Sequence, residues 1–118
     1  MAPVTLYHNP KCSNSRNALD VLESLGIDHD VVRYLEQPPD REALTGILAQ
    51  LEDPPGDLVR RDPRFKELGL TDADVARADQ VVDLLAREPA LMQRPVLVKD
   101  GRAIIGRPKD RVAPFVSG

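Results

Sequence analysis

Val4, Leu6 and His8 alternate with Thr5 and Tyr7, a two-residue period that predicts a short strand over residues 4–8. The period then lengthens. Ala18, Leu19, Val21, Leu22 and Leu25 recur at helical spacing, with Ser13 placed to cap the helix and Gly26 to stop it. Val31 to Leu35 predicts a second strand, closed by Pro38 and Pro39. Two strands joined through a helix make a β-α-β unit, whose strands run parallel with a right-handed crossover.

The middle of the chain reads as helical. Asp40 is placed to cap a helix with Leu44, Ile47, Leu48 and Leu51 on one face. Residues 53–66 are rich in Pro and Arg and predict a loop with short helical turns. Thr71 with Asp74 has the spacing of a capping box. Asp79 is placed to cap a further helix carrying Val81, Val82, Leu84 and Leu85, which stops before Pro89. Asp100-Gly101 between two β-prone runs, residues 96–99 and 102–105, is a hairpin signal. Pro108 suits the first turn of a final short helix that buries Val112, Phe115 and Val116. The predicted order is β-α-β, several helices, β-β, α. A parallel pair must then join an antiparallel hairpin. The predicted fold is α/β and thioredoxin-like: a mixed four-stranded sheet with a helical insertion between the β-α-β and β-β-α halves.

Composition narrows the function. A chain of 118 residues suits one domain with one core, and 42% hydrophobic with 30% charged residues is ordinary for a soluble globule. A net charge of −3 lacks the basic footprint of a nucleic-acid protein. No apolar run approaches the roughly 20 residues that span a bilayer, and the first residues lack the regions of a secretory signal. The chain has one cysteine, Cys12, so no internal disulfide is expected, and an unpaired thiol suits a reducing cytoplasm.

Cys12 falls at the predicted strand-to-helix turn, flanked by Asn9, Lys11, Ser13, Asn14, Ser15 and Arg16. Free N–H groups at a helix start favour a thiolate and also attract anions, so a nucleophilic sulfur and an oxyanion could meet there. Position 15 is Ser, so the dithiol Cys-x-x-Cys is missing and an oxidised Cys12 must be resolved by an outside thiol. His8 could stabilise the thiolate as imidazolium or by hydrogen bonding, whereas His29 falls in a predicted loop with no evident role. Arg94 and Arg107 each precede a proline at either end of the hairpin, Arg60 and Arg61 lie in the insertion, and Gly106 could let backbone approach a ligand. Guanidinium groups match tetrahedral oxyanions through paired hydrogen bonds. A Cys-x₅-Arg phosphatase loop is absent, since Arg16 gives Cys-x₃-Arg, and neither a glycine-rich nucleotide loop nor zinc-ligand spacing occurs.

Tyr7-His8-Asn9-Pro10-x-Cys12-Ser13-x-Ser15-Arg16, Tyr34-Leu35-Glu36-x-Pro38, Leu58-Val59-Arg60, Arg94-Pro95-Val96 and Gly106-Arg107-Pro108 together resemble the glutathione/glutaredoxin-linked arsenate reductase family. The resemblance runs over nearly the whole chain. It implies one domain over residues 1–118 with the insertion at about 39–90. It also implies that Cys12 is the nucleophile, that His8 helps keep it ionised, and that Arg60, Arg94 and Arg107 bind the oxyanion. Pro95 matches the cis-proline that faces the thiol in this fold. Arg60 is preferred to Arg61 because Leu58-Val59-Arg60 carries the family pattern. The implied substrate is arsenate, with glutathione as co-substrate and glutaredoxin as protein partner. No bound cofactor, metal, nucleic acid or membrane is implied, and the implied compartment is the cytoplasm. Two alternatives remain at this point: a monothiol glutaredoxin-like oxidoreductase acting on glutathione mixed disulfides, and a non-enzymatic redox regulator that binds RNA polymerase.

Overall fold

The computed structural model describes residues 3–118. Its centre is one sheet of strands β1 (Val4–His8), β2 (His29–Arg33), β3 (Val96–Lys99) and β4 (Arg102–Ile105), in the order β2-β1-β3-β4. β1 runs parallel to β2, with Val4 opposite His29 and His8 opposite Arg33. It runs antiparallel to β3, with Tyr7 opposite Val96, and β3 returns through the hairpin to β4. The sheet is therefore mixed, as the order of elements predicts, and the fold is thioredoxin-like. Asp100 and Gly101 take φ values of 51° and 76°, the paired positive angles that a two-residue turn of matching twist requires.

The alternation along β1 divides the core. Val4 and Leu6 join Ala18, Leu22, Leu97, Val112 and Phe115 on the face covered by α1 (Ser13–Ser24) and α5 (Val112–Ser117). The other face carries Tyr34, Val96 and Ile105 against α2 (Arg41–Gln50), α3 (Pro63–Glu67) and α4 (Ala78–Arg87). Asp40 caps α2 as expected, its carboxylate accepting from the Ala43 N–H at 2.8 Å. Asp74 accepts from the Thr71 N–H at 2.7 Å at the head of a single 3₁₀ turn, Asp72–Val75. Residues 53–66 hold a 3₁₀ turn at Pro55–Leu58 and the start of α3, again as the composition suggests.

Several boundaries differ from the sequence reading. Cys12, not Ser13, is the N-cap of α1. Strand β2 lies two residues earlier than expected, because Glu36 and Gln37 both donate to the Arg33 carbonyl (2.9 and 2.8 Å) and turn the chain. Leu35 is left exposed, and His29 becomes a strand residue whose Nδ1 lies 2.7 Å from the Ile27 carbonyl. Leu25 is also exposed. The chain leaves the helix there and turns at Gly26 (φ 65°), so Ile27 packs on the core in its place. Helix α4 begins at Ala78 with Arg77 as N-cap, whose N–H donates to Gln80 Oε1 at 2.9 Å, and Asp79 instead pairs with the Arg77 side chain. Pro108 precedes a 3₁₀ turn (Lys109–Arg111) that leads into α5, so it lies before the first turn rather than in it.

Candidate active site

The loop after β1 delivers Cys12 to the head of α1. The Cys12 N–H donates to the Asn9 carbonyl at 3.0 Å, and Asn9 Oδ1 accepts from the Lys11 N–H at 2.9 Å. This tight turn makes Cys12 the N-cap of α1, beside the first free N–H groups of the helix, although its sulfur makes no capping hydrogen bond. Cys12 is free and only 9% exposed. Burial pushes its thiol up, but the N–H groups of Ser15 and Asn14 and the Arg94 guanidinium outweigh burial. The net result lies below the usual cysteine value.

Ser15, which occupies the position of a resolving cysteine, holds the turn from below. Its fully buried Oγ accepts from the Asn9 N–H at 2.9 Å and lies 2.7 Å from His8 Nδ1. Sequence reading assigned no chemistry to Ser15 or Asn9. The signal was present in the spacing, because a cysteine at the N-cap makes residues 14 and 15 its donors. His8 is 4% exposed, and burial together with the charges of Arg33 and Arg16 lowers its pKa. The shift favours the neutral ring, and Nδ1 stands within hydrogen-bond reach of Ser15 Oγ.

The arginines arrive from distant segments. Arg94 precedes the cis peptide bond to Pro95 at the start of β3, and its guanidinium stands close enough to Cys12 and Tyr34 to favour the ionised form of each. The strand-like contact of Val59 with Met92 draws the insertion to this end of the sheet, with Arg60 N–H donating to the Leu91 carbonyl at 2.8 Å. Arg60 consequently lies near Tyr34, with one nitrogen 3.1 Å from Asp62 Oδ2. Arg61 is held by other partners: it donates to the carbonyls of Gly56 and Val59, pairs with Asp72 and stacks on Phe65 at 5.3 Å. Arg107, exposed, donates to Gln93 Oε1 at 3.1 Å. Among the described residues, Arg107 makes no hydrogen bond to Cys12. The peptide bond between Arg107 and Pro108 is also cis, which the sequence did not suggest.

Gly106 does not open backbone to a ligand. A Cβ there would lie 2.7 Å from Pro95 Cγ, so the glycine lets the two Arg-Pro segments pack together, with the Gly106 N–H donating to the Pro95 carbonyl at 2.8 Å. An open cleft of about 360 Å³ adjoins Arg107, lined by Asp57, Arg61 and Gln93 among others. Among the described residues, no group of His, Cys, Asp and Glu could hold a metal ion, and no helix is long and apolar enough to cross a membrane.

The structure thus sets a thiol at a helix head with Arg94 beside it, while Arg60 and Arg107 are held by Asp62 and Gln93. The ArsC family matches residues 7–115. The chain belongs to that family. Within it, the chain is 38% identical to an arsenate reductase of Neisseria meningitidis serogroup B, over 95% of this chain and 97% of that one. It is 35% identical to an arsenate reductase of Escherichia coli, over 95% of this chain and 79% of that one. The solved structure of an arsenate reductase from Vibrio cholerae superposes with a TM-score of 0.85 at 37% identity, covering 96% of this chain and 97% of that one. ArsC-family membership thus covers both the sheet and the insertion that carries Arg60.

Proposed function

We propose that this protein reduces arsenate to arsenite with Cys12 as nucleophile and glutathione with glutaredoxin as the external reductant. The observation that carries the reading is Cys12 at the N-cap of α1, its thiol pulled down by the helix N–H groups and by Arg94. The names of the relatives support the choice of arsenate.

The thiolate attacks arsenic(V). A sulfur–arsenic bond forms, one arsenic–oxygen bond breaks, and the oxygen leaves as water after protonation from solvent. Arg60, Arg94 and Arg107 hold the remaining oxygens, and the α1 N–H groups offset the charge that builds near the sulfur. Asp62 must release Arg60 for that contact, and Arg107 must swing from Gln93. Glutathione thiolate then attacks the Cys12 sulfur. A sulfur–sulfur bond forms as the sulfur–arsenic bond breaks, and the released electron pair stays on arsenic as arsenic(III). Because Cys12 is the only cysteine, the mixed disulfide with glutathione is opened by an outside thiol, which we assign to glutaredoxin in the cytoplasm.

Mass spectrometry after treatment with arsenate and glutathione tests this directly. A mass increase confined to Cys12, absent from Cys12→Ser, is expected, together with sustained arsenite release over repeated turnovers when glutaredoxin is supplied. A protein that turns over no arsenate under those conditions rejects the substrate. If mixed-disulfide exchange survives in Arg94→Ala while arsenate reduction is lost, the arginines serve the oxyanion rather than the thiol chemistry in general.

A further inference from the structure

Tyr34 is completely buried, yet among the described residues its hydroxyl meets no partner in hydrogen-bond geometry, although Asn9 and Arg94 stand close beside it. Among the same residues Arg94 Nε is likewise buried and without an acceptor. Buried donors are almost always satisfied, and two unsatisfied donors side by side call for an acceptor that the polypeptide does not supply.

The sheet explains why they are neighbours. In the parallel register, His8 lies opposite Arg33, and Asn9 and Tyr34 are the residues that follow this last pair at the carboxyl ends of β1 and β2. Tyr7 lies opposite Val96 in the antiparallel register, so Arg94 and Pro95 meet the same end of the sheet from β3. The Tyr34 ring packs among the residues beneath α2 and α4, and its hydroxyl emerges beside Asn9, Arg94 and Arg60. These are the residue that folds the Cys12 turn, the guanidinium that favours the Cys12 thiolate, and the arginine of the insertion.

We propose that Tyr34 is an oxyanion ligand of this site, its hydroxyl donating together with Arg94 Nε to the same tetrahedral anion that Cys12 attacks. The inference rests on the oxyanion-reductase reading above and adds a contact to it. Burial holds the Tyr34 pKa above the usual tyrosine value against the opposing pull of Arg94, Asn9 and Arg60, so the hydroxyl keeps its proton and acts as a donor. An uncharged donor deep in the site complements an oxygen without adding to the mutual repulsion of the guanidinium groups.

Tyr34→Phe in the full chain tests the idea, because loss of the hydroxyl has opposite consequences for the free and the anion-bound protein. In anion-free buffer the variant is expected to melt at or above the wild-type temperature, since it removes an unsatisfied buried group. Binding of arsenate, read by protection of Cys12 from iodoacetamide and by calorimetry on the Cys12→Ser background, is expected to weaken about ten- to a hundred-fold, the loss of one hydrogen bond to a charged acceptor. The alkylation profile of Cys12 without anion should stay in place. Wild-type protein protected by arsenate with Tyr34→Phe protected equally overturns this inference alone. Tyr34→Phe that melts well below wild type also overturns it, because the hydroxyl then holds the fold. Wild-type protein that binds neither arsenate nor phosphate overturns the oxyanion reading together with this contact.

Discussion

Gly106→Ala should damage both the fold and the site. A methyl group at position 106 would meet Pro95 Cγ at 2.7 Å, Leu97 Cδ1 at 3.1 Å and Val112 Cγ2 at 3.2 Å, against an ordinary carbon–carbon separation of about 3.5–4.0 Å. None of the three has room to yield. Pro95 is a buried ring, and Leu97 and Val112 are both fully buried. Overpacking of this kind costs about 1–3 kcal/mol. For a chain of this size that lowers the thermal midpoint by roughly 3–15 °C. Pro95 follows Arg94 and Gly106 precedes Arg107, so the displaced backbone also carries two of the proposed anion ligands. Misplacing positioned groups by about 1 Å can cost on the order of a hundred-fold in rate. Gly46→Ala is the control. It lies within α2, a Cβ there meets nothing within 4 Å, and the change should stabilise by about 0.5–1 kcal/mol. Circular dichroism melts of the two variants, with arsenate turnover measured alongside, decide the matter. Gly106→Ala melting with or above the wild type would refute the reasoning.

Other outcomes follow from the site. Alkylation of Cys12 by iodoacetamide, followed against pH, should show a midpoint below that of an ordinary cysteine, and Arg94→Met should move it upward; an unmoved midpoint would deny that the guanidinium favours the thiolate. Ser15→Ala leaves the Asn9 N–H and the His8 ring nitrogen without their buried partner, so urea unfolding should report a loss of about 1–3 kcal/mol. His8 has a lowered pKa, so the unfolded chain binds its proton first on acidification. Its contribution to stability is complete above about pH 6.5 and is lost as pH falls from there through the lowered folded value. Urea midpoints measured across that range should decline less steeply in His8→Gln, and parallel profiles would count against a buried neutral imidazole.

The chain's periodicity was enough for the sheet. Val4 to His8, the Asp100-Gly101 turn and the apolar faces of α1, α2 and α4 all carry short-range patterns that survive in the tertiary structure. What failed was decided by contacts no local pattern contains. The position of β2 depends on a turn closed by the Arg33 carbonyl, and the role of Gly106 depends on Pro95 eleven positions earlier. Cys12 and Arg94 could be named from motif and chemistry, but their approach depends on the antiparallel pairing of β1 with β3. Ser15 was legible only as a missing cysteine, while its action is exerted through a backbone N–H and a hydroxyl aimed at His8. Tyr34 stands in a motif of the family resemblance that carries no role for it; only burial without a partner marks it out as a candidate ligand.

The short Val59–Met92 bridge has a thermodynamic corollary. It clasps a long excursion of chain whose Leu58, Val59 and Phe65 sit in the core, so the segment bearing Arg60 parts from this end of the sheet only by exposing them. An anion gripped from both banks favours the latched form over the gaping one. Occupancy and latching therefore reinforce each other by mass action. On the proposed reading, the pocket is completed in part by the cargo it receives.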